Sequence, residues 1–136
     1  GHGVSLTVGA TRLNWATVSL VSRHATGFGG EGRPASILLA ATGDAGNAGR
    51  VMKQVDKAHI TLTDRGHAPM LVEGIPAVLT LPADPARTTC YALDPRGERK
   101  AAVPVEATSG GAKIVIGPHS RTVWYEVVIN KQGVNR

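Results

Sequence analysis

Two tryptophans are the side chains in this sequence whose type and setting best suit ligand binding. An exposed indole face can hold a sugar ring through its C–H groups, while polar neighbours take the hydroxyls. Trp124 has Thr122 and Glu126 on its own side of an alternating segment, and Trp15 has Thr17. The types and spacing of these residues therefore predict a carbohydrate-binding surface.

A packing role is the alternative for both indole rings. A large ring on the polar side of a strand is either covered by another domain or used to bind something. One or both tryptophans could close a second small core or lie beneath a neighbouring domain. A large apolar patch around Trp124 would favour packing, whereas polar groups around an open groove would favour binding.

Catalytic and nucleotide-binding chemistry have weaker support. Glu73 lies among apolar residues, but glycoside hydrolysis needs a second carboxyl group in the same cleft, so a structural carboxylate is favoured. Gly27–Gly32 matches the spacing of a dinucleotide loop, yet a strand-like run follows where that loop needs a helix. Cys90 is interpreted as a buried, inert thiol. We predict that the chain is not an enzyme and uses no cofactor.

A metal centre is not predicted either. The histidines lack metal-ligand spacing and have no cysteine partners, which argues against zinc. Side-chain oxygens near the predicted loops could bind calcium, but the D-x-[DN]-x-[DN] spacing is absent, so calcium is left open. The residues concerned are Asp44, Asn47, Asp56 and Asp64.

Charge and length restrict the possible partners. The chain has 136 residues, a length that fits one domain with a buried apolar core, and its net charge is +5. A basic chain is compatible with nucleic-acid binding, but the lysines and arginines are scattered singly, so a solvated basic surface is favoured. No apolar run approaches the ~20 residues of a membrane span. We predict neither a nucleic acid nor a membrane as the partner.

The elements that must position these side chains are strands. Short alternating segments recur between turn residues, and no window has a convincing 3.6-residue stripe. Glycines within 46–55 argue for a loop there. The predicted strands cover residues 4–8, 13–22, 36–42, 59–63, 77–81, 87–93, 99–105, 112–116 and 122–129. We predict an all-β fold, a single antiparallel β-sandwich of about nine or ten short strands that could be jelly-roll-like, with a barrel as the alternative.

The β-sandwich domain is predicted to span residues 4–130. Residues 1–3 are interpreted as a tag remnant, and 131–136 as a polar C-terminal tail.

Several segments together resemble the β-sandwich accessory domain found C-terminal to catalytic barrels in bacterial glycoside hydrolases. The most distinctive is the Gly-x-x-Pro-x-Leu-Val-Glu-Gly pattern at Gly66–Gly74. This chain departs from similar domains at Arg65, where they often have an aromatic residue, and at Ala48, where they often have threonine. The other similar segments are 15–20, 36–43 with 47–49, 75–77, 91–94 and 124–126.

This resemblance implies a non-catalytic carbohydrate-binding module of a secreted bacterial enzyme that degrades plant polysaccharides. The module would act outside the cell and anchor a covalently linked glycoside hydrolase domain to β-glucan or a related hemicellulose through the exposed tryptophans. Such anchoring raises the effective concentration of the catalytic domain at its substrate. The alternative is a structural accessory β-sandwich that packs on a glycosidase barrel without binding glycan.

Overall fold

The computed structural model describes residues 3–23, 27–29 and 33–131. Most of this part of the chain is in short strands, joined by turns and by 3-10 turns at Pro85–Arg87 and Pro118–Ser120. The strands are β1 (Ser5–Val8), β2 (Thr17–Ser22), β3 (Ala35–Thr42), β4 (Ala45–Ala48), β5 (Val51–Gln54), β6 (Ile60–Asp64), β7 (His67–Val72), β8 (Ala77–Leu81), β9 (Thr88–Leu93), β10 (Arg99–Val103), β11 (Val105–Thr108), β12 (Gly111–Ile116) and β13 (Trp124–Ile129).

Two antiparallel sheets form the body of the protein. One sheet has the strand order β1-β8-β12-β11, and the other has the order β10-β9-β13-β3-β2. Their inner faces pack against each other around one cluster of buried apolar side chains from both sheets. The predicted all-β, sandwich-like fold is therefore confirmed.

The core follows from period-two alternation along the central strands. β3 and β8 alternate between buried and half-buried residues at every position. Leu39, Leu79 and Ile114 are fully buried and belong to the same apolar cluster. Residues that point the other way face solvent on the outer surfaces of the sheets, so the alternation read from the sequence identifies the core face.

Pro104 divides one predicted strand into two. The sequence predicted a continuous strand over residues 99–105, but β10 ends at Val103 and β11 begins at Val105. These two strands belong to different sheets. Proline cannot donate a ladder hydrogen bond, so the chain crosses from one sheet to the other at this residue.

A two-stranded arm, residues 45–72, projects from the sandwich between β3 and β8. β4 pairs with β7 at its base, and β5 pairs with β6 towards its tip. The prediction of a loop over residues 46–55 was wrong, because most of this segment forms β4 and β5. Most arm side chains are exposed, so β5 and β7 have no buried row to reveal them, whereas the alternation at residues 59–63 did predict β6.

Three parts of the chain discussed above lie outside the described residues: 1–2 of the predicted tag remnant (1–3), 132–136 of the predicted tail (131–136), and 30–32 of the glycine-rich loop. The loop is followed at Ala35 by β3, not by a helix. Within the described part, the chain forms no helix of the length and apolarity that crossing a membrane requires.

Candidate functional site

Trp124 lies on the outer face of the five-stranded sheet. Tyr125, Val127 and Ile129 are buried, whereas Trp124 keeps 42% of its surface exposed. The predicted alternation along β13 is therefore confirmed. Trp124 pairs with Ala40 of β3 in the ladder, so neighbouring strands hold its backbone in place.

Glu126 lies on the same outer face, but two arginines engage its carboxylate. Arg99 Nε donates to Glu126 Oε2 at 2.7 Å, and Arg23 Nη1 donates to Glu126 Oε1 at 3.3 Å. The Arg99 guanidinium also lies 4.2 Å from the ring centroid of Tyr91, which pairs with Glu126 across β9 and β13. Each carboxylate oxygen thus has a partner within the protein, which leaves Glu126 with fewer acceptor sites for a ligand hydroxyl.

The Thr122 side chain forms hydrogen bonds with main-chain groups around Trp124. Its hydroxyl donates to the Leu93 carbonyl at 2.7 Å and accepts from the Trp124 backbone N–H at 3.1 Å. These bonds fasten the start of β13 to the end of β9. Thr17 is exposed on β2, opposite Thr42, and no hydrogen bond orients it towards Trp124 in the described part of the chain.

A groove of about 570 Å³ lies beside Trp124. The arm supplies Met70, Leu71 and Val72 to its wall, and the sandwich supplies Pro95, Pro118 and Val123. Met70 is 68% exposed, and Leu71 and Val72 are also exposed. Arg121 is the charged residue in this lining. The surroundings of Trp124 are therefore mainly apolar.

Trp15 lies at a different cavity. It precedes β2, is 53% exposed and contributes to a cavity of about 260 Å³ that includes Thr11 and Asn14. Asn14 adopts a left-handed backbone conformation with φ of 56°. The groove beside Trp124 and the cavity beside Trp15 share no lining residue, so the predicted binding residues do not form one pocket.

The chain matches no protein-family model, no curated protein and no solved structure.

An ion network fastens the base of the arm to the sandwich. Asp44 is buried and forms ion pairs with Arg50 and, at 3.5 Å, with Arg12 Nε. Glu73 Oε1 accepts from the Arg12 backbone N–H at 2.7 Å, and Oε2 accepts from the Asp44 backbone N–H at 3.1 Å. Both Glu73 oxygens therefore bind main-chain groups, as expected of a structural carboxylate. The network also fixes where β4 and β7 leave the body.

The other candidate groups have local structural roles. Asp56 accepts hydrogen bonds from the backbone N–H groups of Ala58 and His59, and Asp64 accepts from that of Gly66. No group of three or more His, Cys, Asp or Glu residues could hold a metal ion within residues 3–23, 27–29 and 33–131. Cys90 is buried, and burial followed by the nearby charge of Glu126 raises its thiol pKa to about 12.

Sequence reasoning missed the contribution of β7 to the groove. Met70, Leu71 and Val72 are three consecutive apolar residues after Pro69, and all three are exposed. An apolar run that does not alternate is the signal that could have identified this strand as a surface contact. Its proximity to Trp124 depends on the path of the arm, which local periodicity does not encode.

Proposed function

We propose that this chain is a structural accessory β-sandwich that packs, through the groove beside Trp124, on the catalytic domain of a glycoside hydrolase. The hydrolase partner comes from the sequence resemblance alone. The packing mode is supported by one observation, the mainly apolar lining that surrounds an exposed indole. In this role the chain is non-catalytic and acts outside the cell as part of a secreted bacterial enzyme.

The energetic argument rests on the groove's exposed apolar side chains. Contiguous apolar surface on a soluble domain marks interaction sites. Full burial of one large apolar side chain contributes roughly 1.5–3 kcal/mol. Trp124, Met70 and Leu71 could together supply a strong central contact with a complementary apolar surface.

The engaged polar groups favour packing over sugar binding at Trp124. A sugar-binding ring needs neighbouring donors and acceptors for the ligand's hydroxyls. Glu126 already accepts from two arginines, and the Thr122 hydroxyl is bonded to main-chain atoms on both sides. These bonds leave fewer free acceptors beside Trp124 for the hydroxyls of a sugar.

Association with the catalytic domain encoded in the same polypeptide tests the packing proposal. The two parts are produced separately and their affinity is measured by calorimetry for the wild type, Trp124→Ala and the matched control Trp15→Ala. We expect Trp124→Ala to weaken association at least tenfold, or about 1.4 kcal/mol, and Trp15→Ala to leave it nearly unchanged. Absence of such a catalytic domain, or equal effects of the two replacements, would contradict the proposal.

A carbohydrate-binding module is the second candidate function, and the cavity beside Trp15 favours it. There the exposed indole lies with Thr11 and Asn14, which offer a hydroxyl and an amide. A module of this kind would anchor the linked hydrolase to β-glucan or a related hemicellulose. Affinity electrophoresis against a panel of soluble polysaccharides tests it: retardation that Trp15→Ala abolishes would support it, and no retardation would exclude it for those glycans.

A further inference from the structure

We infer that the arm, residues 45–72, is a second docking element that inserts into an apolar cleft rimmed by carboxylates on the same partner protein. This inference rests on the proposed packing function and adds the chemistry of the surface that receives the arm. Two independent features support it: an uncovered apolar face near the tip and a set of cations without anionic partners.

The apolar face follows from the register of β5 and β6. Met52 pairs with Leu62, and Gln54 pairs with Ile60. Directly paired residues share a face, as do residues two apart along a strand, so Met52, Ile60 and Leu62 lie together. Ile60 and Leu62 are each at least half exposed.

Little of this face is covered within the described part of the chain, where Met52 is half-buried and the other two residues are exposed. β5 and β6 form a two-stranded sheet of their own, and none of their residues belongs to the core cluster. An isolated two-stranded ribbon is marginally stable in water unless a third strand or another surface packs on it. An apolar surface of a partner would supply that packing.

The charges on the arm indicate which groups surround the apolar cleft on the partner protein. Lys53, Lys57 and Arg65 are exposed and have no ion pair within the residues that the structure describes. The two acidic residues of the same segment, Asp56 and Asp64, accept backbone hydrogen bonds in their own turns and keep their negative charge. Residues 45–72 hold four lysines and arginines against these two carboxylates, so the arm has a net positive charge that complements carboxylates at the rim of the receiving cleft.

Continuity with the groove favours a protein partner over a nucleic acid or a lipid surface. β7 belongs to the arm and also lines the groove beside Trp124 through Met70–Val72. One partner could thus cover the groove and the arm together. The cations of the arm are interspersed with exposed aliphatic side chains and do not form the continuous basic stripe expected of a nucleic-acid surface.

The test measures association of this chain with the catalytic domain of the same polypeptide, using two arm variants. Lys57→Glu should weaken binding at least fivefold at low salt, with a smaller effect at high salt, because exposed charge pairs are screened. Leu62→Ser should weaken binding by a similar factor at both salt concentrations. The matched control is Lys100→Glu on β10. The arm begins after β3, and β10 lies three strands away from β3 in the sheet order, so this replacement should have little effect.

Hydrogen exchange provides a second readout that does not depend on substitutions. Backbone amides of β5 and β6 should exchange rapidly in the isolated chain and become protected when the catalytic domain is added.

The thermal midpoint of each variant should stay close to that of the wild type, because Lys57 and Leu62 lie outside the core.

The outcomes separate this inference from the proposed function. If Trp124→Ala weakens association but Lys57→Glu and Leu62→Ser do not, the arm inference is overturned and the packing proposal stands. If the wild type does not associate with the catalytic domain, both are overturned. If the chain binds phosphatidylserine vesicles or duplex DNA through Lys57 and gains no arm protection from the catalytic domain, the arm contacts a lipid or a nucleic acid and the protein-partner inference is wrong.

Discussion

Cys90 and Glu126 lie close together on opposite faces of the five-stranded sheet, and their surroundings give them opposite properties. Cys90 pairs with Val127 and points into the core, whereas Glu126 pairs with Tyr91 and points outwards. Successive side chains of a strand point to opposite faces of the sheet, so the Cys90 thiol is isolated from water while the Glu126 carboxylate contacts arginines.

The thiol of Cys90 should be inert in the folded protein. Burial, followed by the negative charge of Glu126, raises its pKa to about 12, so the thiolate is scarce at neutral pH. We expect Ellman's reagent to react with Cys90 only after unfolding in urea. Rapid reaction of the native protein at pH 8 would contradict the predicted burial.

Replacement of Glu126 tests the ion pairs on the outer face. Glu126→Gln removes the charge that Arg23 and Arg99 share, and both arginine side chains are more than half exposed. Because exposed ion pairs contribute little stability each, we expect only a small loss in the free energy of unfolding, and a smaller one at high salt. Urea denaturation at low and high salt measures it, and a loss that does not shrink with salt would argue against a charge effect.

The arm shows how far element prediction from this sequence could go. Predicted strands that alternate in the sequence, such as those matching β1, β8 and β13, are present in the structure. The strands β4, β5 and β7 were missed because none of them has a buried row: β4 is mostly half-buried, and β5 and β7 are largely exposed. The groove was missed for the same reason, since β7 forms one of its walls.

Two glycine substitutions should separate the arm from the sandwich. Gly66 in the arm has φ of 67°, and Gly111 at the start of β12 has φ of 118°. A Cβ at Gly66 would clash with the Ala48 carbonyl, and one at Gly111 would clash with the Leu81 carbonyl. Gly66→Ala should therefore speed hydrogen exchange in the arm without changing the main calorimetric transition, whereas Gly111→Ala should lower that transition. A large fall for both variants would show that the arm and body unfold together.

The turn at the tip of the arm should respond to acid. The backbone N–H of Ala58, followed by the side chain of His59, lowers the pKa of Asp56 below its ordinary value of 3.8. The carboxylate therefore stabilises the turn above that value, and the stabilisation is lost as pH falls through the lowered pKa of the folded state. An NMR titration of Asp56 measures this pKa. In Asp56→Asn the same acid response of the turn should be absent.

At the scale of the whole molecule, the sandwich and the arm have separate sources of stability. The core cluster contains residues from both large sheets, and it includes none from β4 to β7. The arm depends on its own backbone pairing and on the ion network of Asp44, Arg50, Arg12 and Glu73 at its base. Changes in the two regions should therefore have unequal effects on global unfolding.

Shortening the arm tests this separation. Replacing residues 51–64 with a two-residue turn should leave the thermal midpoint nearly unchanged, because no residue of that segment packs in the core. Leu79→Ala is the contrasting substitution: it empties a fully buried site and should cost about 2–5 kcal/mol. Comparable losses for the two proteins would mean that the arm supports the core.

By itself the sequence determined the period of the strands, because alternation of apolar and polar side chains is a local property that each strand carries in its own residues. That alternation was sufficient to predict an all-β fold and to place Trp124 opposite the core. Only the tertiary structure decided that Trp124 lies beside Met70–Val72, and that Glu126 meets arginines on both sides of β13. These contacts depend on strand order, register and the path of the arm, which join residues far apart in the chain and leave no periodic trace in it.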